Sequence, residues 1–160
     1  MQNYNSLSGQ VLVNGTDIYT SYGVFLTEDK PGDLENLKAL LSPAAVKEQT
    51  GVNIDSEPGR KYSDNLDMQQ DEREFTLYFA LYAPTPEQWM TNYSAFLKLL
   101  RTGYDATHKG WLRMQVPALG LTMTVFFEAV SAFTPLTYLY RLNVQAAKFK
   151  VKFKEPKPSF

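Results

Sequence analysis

In KFKVKFKEPKPSF, residues 148–160, lysine takes every second position: Lys148, Lys150, Lys152 and Lys154 alternate with Phe149, Val151 and Phe153. A period of two predicts a strand whose three apolar side chains enter a core while the lysines line the other face. Residues 72–83, EREFTLYFALYA, carry the same period. Phe75, Leu77, Phe79 and Leu81 share one face, and Tyr78 and Tyr82 share the other. With both faces rather apolar, this strand is expected inside a packed sheet rather than at its rim. GWLRMQV and LGLTMTVFFEAV predict two more strands around a turn at residues 117–120, and FTPLTYLYRLNVQ predicts another. Near the start, VLVNGTDIY sets two short β-prone runs around Asn14-Gly15, a pair that tolerates the positive φ angles of a tight hairpin. Gly23 is expected to end that hairpin, and VFL to add a short strand.

The period changes in TPEQWMTNYSAFLKLLRTG. Thr85 is placed to cap a helix, Pro86 suits the first helical position, and Gln88 completes a capping box. Trp89, Tyr93, Phe96, Leu97 and Leu100 form an apolar stripe. Lys98 and Arg101 lie near the C-terminal end, where the helix dipole favours cations, and Gly103 is a natural stop. The helix is expected over residues 86–102.

Between Glu28 and Asp71 the pattern weakens. DLENLKALL places Leu34, Leu37, Leu40 and Leu41 at helical spacing behind Asp33 as a cap, and Ser42-Pro43 is a possible start of another short helix. TGVNIDSEPGRKYSDN is rich in turn formers. A segment of this length far exceeds the usual connection of about four to six residues, and reads as a lid, an arm or a partly disordered loop. Strands in series with one main helix predict an α+β, mostly β fold. The expectation is an antiparallel β-sandwich (or rolled sheet) with one main packed α-helix and a long irregular arm, residues 28–71, inside a single domain spanning residues 1–160.

Charge sharpens this picture. The chain of 160 residues has a net charge of −1, but residues 1–59 carry eight acids and three bases, and residues 148–160 carry five lysines and Glu155. An acidic front and a basic tail suit a chain that complements itself or a copy of itself. No basic footprint covers the whole domain, so sequence-specific nucleic-acid binding is not expected. Cysteine is absent, which excludes disulfides, thiolate metal sites and a cysteine nucleophile. No signal-peptide pattern or long apolar run appears, so cytosolic synthesis without a membrane role is expected.

Candidate chemistry is sparse. The lone histidine, His108 in DATHKGW, lacks the converging ligands of a metal site and reads as an exposed turn residue. Asp64, Asp67, Asp71, Glu72 and Glu74 cluster in SDNLDMQQDERE. Paired carboxylates can hydrolyse glycosides, but only at a fixed spacing across a cleft, and a solvated or interface loop is the plainer reading. No phosphate loop, dinucleotide fingerprint or nucleophile elbow is present. No catalytic residue, cofactor or metal is therefore expected. Tyr4, Tyr19, Tyr22 and Tyr62 are the tyrosines expected at the surface, a residue type that suits interfaces.

The order of features has a parallel. VNGTDIYTSYGVFL, a long irregular segment, REFTLYFALYA, a capped helix with FLKLLRTG, further strands and a closing VKFKEPKPSF together resemble the siphophage tail family of distal tail proteins and related tube and baseplate-hub proteins. The resemblance covers nearly the whole chain. It implies a β-sandwich with one packed helix, and a structural, non-enzymatic subunit that forms rings, typically hexamers, around the tail channel. Implied partners are copies of itself and other tail or baseplate proteins. Implied places are the host cytoplasm during assembly and then the virion tail, at its distal end or as a tube-related adaptor. Larger distal tail proteins resemble this chain followed by a second, often carbohydrate-binding-like domain.

Physical reasoning reaches assembly separately, because unblocked sheet edges pair with neighbours and a repeated head-to-tail contact closes a ring. Lys148, Lys150, Lys152 and Lys154 are then expected to face an acidic surface of a neighbouring subunit, with Asp64, Asp67 and Asp71 of the arm as counterparts. The alternative for the lysines is a solvated strand face that discourages stray edge pairing. The alternative function is a stand-alone β-sandwich glycan-binding module, and a weaker third is a small hydrolase using the acidic loop.

Overall fold

A computed structural model of the protein describes residues 7–139 and 144–160. The hairpin forms as expected: β1 (Leu12–Val13) and β2 (Thr16–Asp17) pair antiparallel, with Asn14 and Gly15 both at positive φ. The chain then departs from expectation. Ile18 and Tyr19 do not extend a strand but open a short helix, α1 (Ile18–Tyr22). The Asp17 carboxylate accepts from the Tyr19 N–H at 3.0 Å, and Gly23, at φ 72°, closes the helix in the left-handed conformation. β3 (Val24–Leu26) follows.

Helix α2 (Glu35–Leu41) forms, but Asp33 stands one residue too early to be its cap. Leu34 takes the cap position, while the Asp33 carboxylate accepts from Glu35 N at 3.3 Å and Lys30 N at 2.7 Å. Of the four leucines, only Leu40 is buried. No helix starts at Ser42-Pro43. Ser42 Oγ donates back to Lys38 O, and the chain beyond becomes extended.

β4 (Arg73–Ala83) and α3 (Pro86–Arg101) form where expected, except that the Gln88 side chain donates to Asn92 Oδ1 at 2.8 Å instead of closing a capping box. Thr85 Oγ1 accepts from Gln88 N at 3.1 Å, and Pro86 occupies the first helical position. β5 (Trp111–Val116) and β6 (Leu121–Pro135) flank a short 3-10 turn, Pro117–Leu119. FTPLTYLYRLNVQ is not a separate strand. Its first residues end β6 and Gln145 opens β7 (Gln145–Glu155), while residues 140–143 lie outside the described residues.

Among the described residues, all seven strands belong to one sheet of order β2-β1-β5-β6-β7-β4-β3, and every pairing is antiparallel. The fold is α+β, mostly β. Laid flat, seven strands about 4.8 Å apart would separate β2 from β3 by roughly 29 Å. The link between them is α1 and its caps, which reaches only about 15 Å. The sheet must therefore curl until its two ends approach. Gln10, just before β1, marks that approach: its side-chain oxygen accepts from Leu26 N of β3 at 3.0 Å.

Inside the curl lie Leu77, Phe79 and Leu81 of β4, Phe149, Val151 and Phe153 of β7, and Met114 and Val125 of β5 and β6. α3 packs on this inner surface. Phe96 is fully buried against Phe79 and Phe149, and the Trp89 indole N–H donates to Leu81 O at 2.9 Å.

Candidate functional site

β7 presents its lysines as the alternation predicts: Phe149, Val151 and Phe153 are buried and the four lysines face outward. Each lysine has a partner within the chain. Lys154 Nζ lies 3.5 Å from Glu72, 3.2 Å from Glu74 and 3.2 Å from Glu128. Lys152 Nζ lies 3.2 Å from Glu74 and 3.4 Å from Glu128. Hydrogen bonds from Lys154 and Lys152 hold the Glu74 carboxyl below its usual range, and bonds to Glu74 and Glu128 push both ammonium groups up.

The other half of the row lacks such compensation. Lys150 Nζ stands over the Tyr78 ring, 4.9 Å from its centre, and Lys148 donates to the backbone oxygens of Glu28 and Asp29. Among the described residues, no carboxylate lies within ion-pair distance of Lys148 or Lys150. The row is thus divided: one end is neutralised by three glutamates, and the other keeps its charge available.

Glu128 holds its place in this cluster because of a β-bulge. In the β6–β7 ladder, Phe127 pairs with Phe153 and Ala129 with Lys152, so Glu128 is the extra residue. Sequence reading missed Glu128 because a bulge changes the face on which a side chain emerges without changing composition.

The structure does not bring Asp64, Asp67 or Asp71 to the lysine row. They lie on an exposed excursion over residues 45–71, built from two antiparallel legs. Asp71 N donates to Ala45 O, Lys47 N to Gln69 O, and Val52 and Lys61 exchange both backbone bonds, each at 2.8 Å. Residues 28–41, in contrast, belong to the body. Asn36 donates to Thr27 O and Tyr78 O and accepts from Tyr78 N, so its side chain continues the pairing that β3 begins along β4. The legs carry Val46, Val52, Tyr62, Leu66 and Met68 exposed, an unusual load of apolar surface for one loop.

At the root of the excursion sits a buried ion pair that sequence reading also missed. Arg73 Nε meets Glu155 Oε1 at 2.9 Å, with the side chains only 4% and 0% exposed. The two are register partners at one end of the inward-facing files of β4 and β7. Arg73 also donates to Leu40 O at 3.0 Å and Ser42 O at 3.1 Å, at the C-terminal end of α2, and stacks near Phe75 and Phe160. Ser159 Oγ donates to the second Glu155 oxygen, and Gln70 donates to Phe160 O. Both legs of the arm are therefore tied to one buried charge pair and to the C-terminal residues. The available signal was parity: Arg73 and Glu155 occupy core-facing positions in otherwise apolar files.

His108 does lie in an exposed turn, where its Nδ1 is 2.7 Å from Asp105 Oδ1 and its ring stacks on Tyr104. Tyr19 and Tyr62 are exposed and Tyr22 is half-buried against Phe96; Tyr4 lies outside the described residues. Among the described residues no cluster of three or more acidic or histidine side chains is placed to hold a metal ion, and no helix is long and apolar enough to cross a membrane.

Fold and surface define a class: a curled antiparallel sheet closed over one helix, with a projecting two-legged arm. Among solved structures, the chain is similar to the Dit (gp 19.1) protein of phage SPP1, described as a paradigm of the hub adsorption apparatus in Gram-positive-infecting phages. The TM-score is 0.59 at 12% identity, over 93% of this chain and 50% of that one. The chain thus spans half the length of that protein, and the likeness is one of fold. No protein-family model and no curated protein matches the sequence.

Proposed function

We propose that the protein is a structural, non-enzymatic subunit of a phage or phage-like tail. It assembles with copies of itself, as a hexamer, into a ring around the tail channel, at the distal end or as a tube-related adaptor. It is made in the host cytoplasm and carried in the virion tail, where it meets other tail or baseplate proteins. One observation carries the reading: a projecting arm with five uncovered apolar side chains on a fold shared with a phage hub protein. An arm of this kind reaches beyond its own body, and its apolar surface calls for a cover that a neighbouring copy supplies. The lysine row belongs to the same contact, with Lys148 and Lys150 meeting acidic groups such as Asp64, Asp67 and Asp71 of the next subunit.

The test is the solution mass of the purified protein together with negative-stain images, for the parent and for a variant with residues 46–69 replaced by a short Gly/Ser linker. Cutting there leaves α2, Arg73 and Glu155 in place. The parent is expected to form closed rings and the variant a folded monomer. A parent that stays monomeric at high concentration, or rings that survive the deletion, would refute the arm's role in assembly.

A further inference from the structure

A cleft of about 380 Å³ lies on the outer face of β5 and β6, on the opposite side of the sheet from the core. Its floor is Trp111 with the hydroxyls of Thr122 and Thr124. One wall is the turn that carries Tyr104 and His108; the other is the C-terminal segment, with Lys157 and Ser159. Its volume lies at the small end of the usual range for ligand sites, about 300–1,000 Å³.

Both walls are held in place. Tyr104 stacks on the His108 ring, 4.7 Å away, and the Arg113 guanidinium lies 4.0 Å from its centre. Asp105 Oδ1 lies 2.7 Å from His108 Nδ1 and holds the ring at the edge of the cleft. Across the cleft, Ser159 is fixed by bonds to Glu155 and Thr122 O. An aromatic floor edged by hydroxyls offers an apolar plane and alternating donors and acceptors at its rim. That is the chemistry of a sugar ring, which has an apolar face and a hydroxyl perimeter.

Charge narrows the class. Lys157 lines the cleft and Arg113 backs Tyr104. The two carboxylates nearby are already engaged, Asp105 with His108 and Glu155 with Arg73. We propose that this cleft binds a single acidic sugar unit, of the uronic acid class, with its ring on Trp111 and its carboxylate toward Lys157. No arm residue and none of the four row lysines lines the site, although its C-terminal wall is the segment that clamps the arm's root.

The two tryptophans of the chain make the test direct, because Trp89 is buried and serves as the silent control. The indole N–H signals are followed by NMR while glucuronate, glucose or inorganic phosphate is added. Glucuronate is expected to shift the Trp111 signal saturably and leave Trp89 unmoved, with glucose weaker and phosphate without saturable effect. Trp111→Ala should weaken glucuronate by about tenfold, read from the His108 ring signals. Lys157→Gln, on an exposed side chain, should weaken glucuronate by about two- to fivefold and leave glucose unchanged. No saturable shift with either sugar, glucose binding as tightly as glucuronate, or phosphate matching glucuronate would each overturn the assignment.

Discussion

Arg73 is the residue on which most of the local geometry depends. It is a buried cation that meets a buried carboxylate, three carbonyls at the end of α2, the Met123 sulfur and two aromatic rings. A buried pair of this kind is costly to break, because the remaining partner keeps its charge without water. Glu155→Gln or Arg73→Met is expected to destabilise the protein by about 3–5 kcal/mol in a denaturant melt, whereas the double change to apolar residues of similar size should recover much of that loss. A single variant as stable as the parent would show that the pair is not dry. Asp105 differs, because it is exposed and its partner is on the same turn. The hydrogen bond from His108 holds its carboxyl down to about 2, below the ordinary aspartate range. A carboxyl lowered on folding stabilises the native state above its unfolded pKa and loses that contribution as pH falls through its folded value. The Asp105 contribution should therefore be intact above about pH 4 and fade toward pH 2, and Asp105→Asn should remove this portion of the acid profile. An NMR titration showing the Asp105 carboxyl at its ordinary value would contradict the bond.

At the scale of elements, α3 and β7 are defined by the same surface seen from two sides. Phe96 of α3 meets Phe79, Phe149 and Tyr22 and is fully buried. Phe96→Ala should cost about 3–5 kcal/mol, read from a denaturant melt; a variant melting with the parent would place the stripe on the wrong side of the helix. On the outer side of β7 the lysines act in two pairs. Replacing Lys152 and Lys154 by glutamine leaves Glu72, Glu74 and Glu128 together without a cation, so this double variant should melt earlier, by a small amount typical of exposed pairs. Lys148→Gln with Lys150→Gln should leave stability nearly unchanged and instead weaken assembly and flatten its salt dependence. A Lys148/Lys150 variant that assembles as tightly as the parent at both low and high salt would mean that this half of the row is only a solvated strand face.

At the scale of the whole molecule, one geometric constraint organises the rest. A five-residue helix joins strands at opposite ends of a seven-stranded sheet, so the sheet curls and its ends meet. The curl leaves one inner surface for α3 and an outer surface that carries the lysine row and the Trp111 cleft. The arm emerges from the outer end of β4, where Arg73 and the C-terminal residues clamp its root. This placement explains how 27 residues with little contact of their own can still leave the body in a defined direction.

Local chemistry was enough to read most of the elements. Asn14-Gly15 forces a hairpin, Thr85 and Pro86 start a helix, and strict alternation assigns the faces of β4 and β7, because each of these depends on near neighbours in the chain. The arm was legible as a region, since turn formers and scattered apolar residues announce a segment without a core-facing stripe. What the chain by itself left open was one local choice, that Ile18 and Tyr19 turn into a helix between the Asp17 cap and Gly23, and the decisions made by residues far apart: that a bulge sends Glu128 to the lysines, and that Arg73 finds Glu155 across 82 positions. The same holds for the sugar-sized cleft, where His108, read from the sequence as a plain turn residue, is brought to Trp111 and Lys157. Contacts of this range are set by register and by the curl of the sheet, which are properties of the packed whole rather than of any window along the chain.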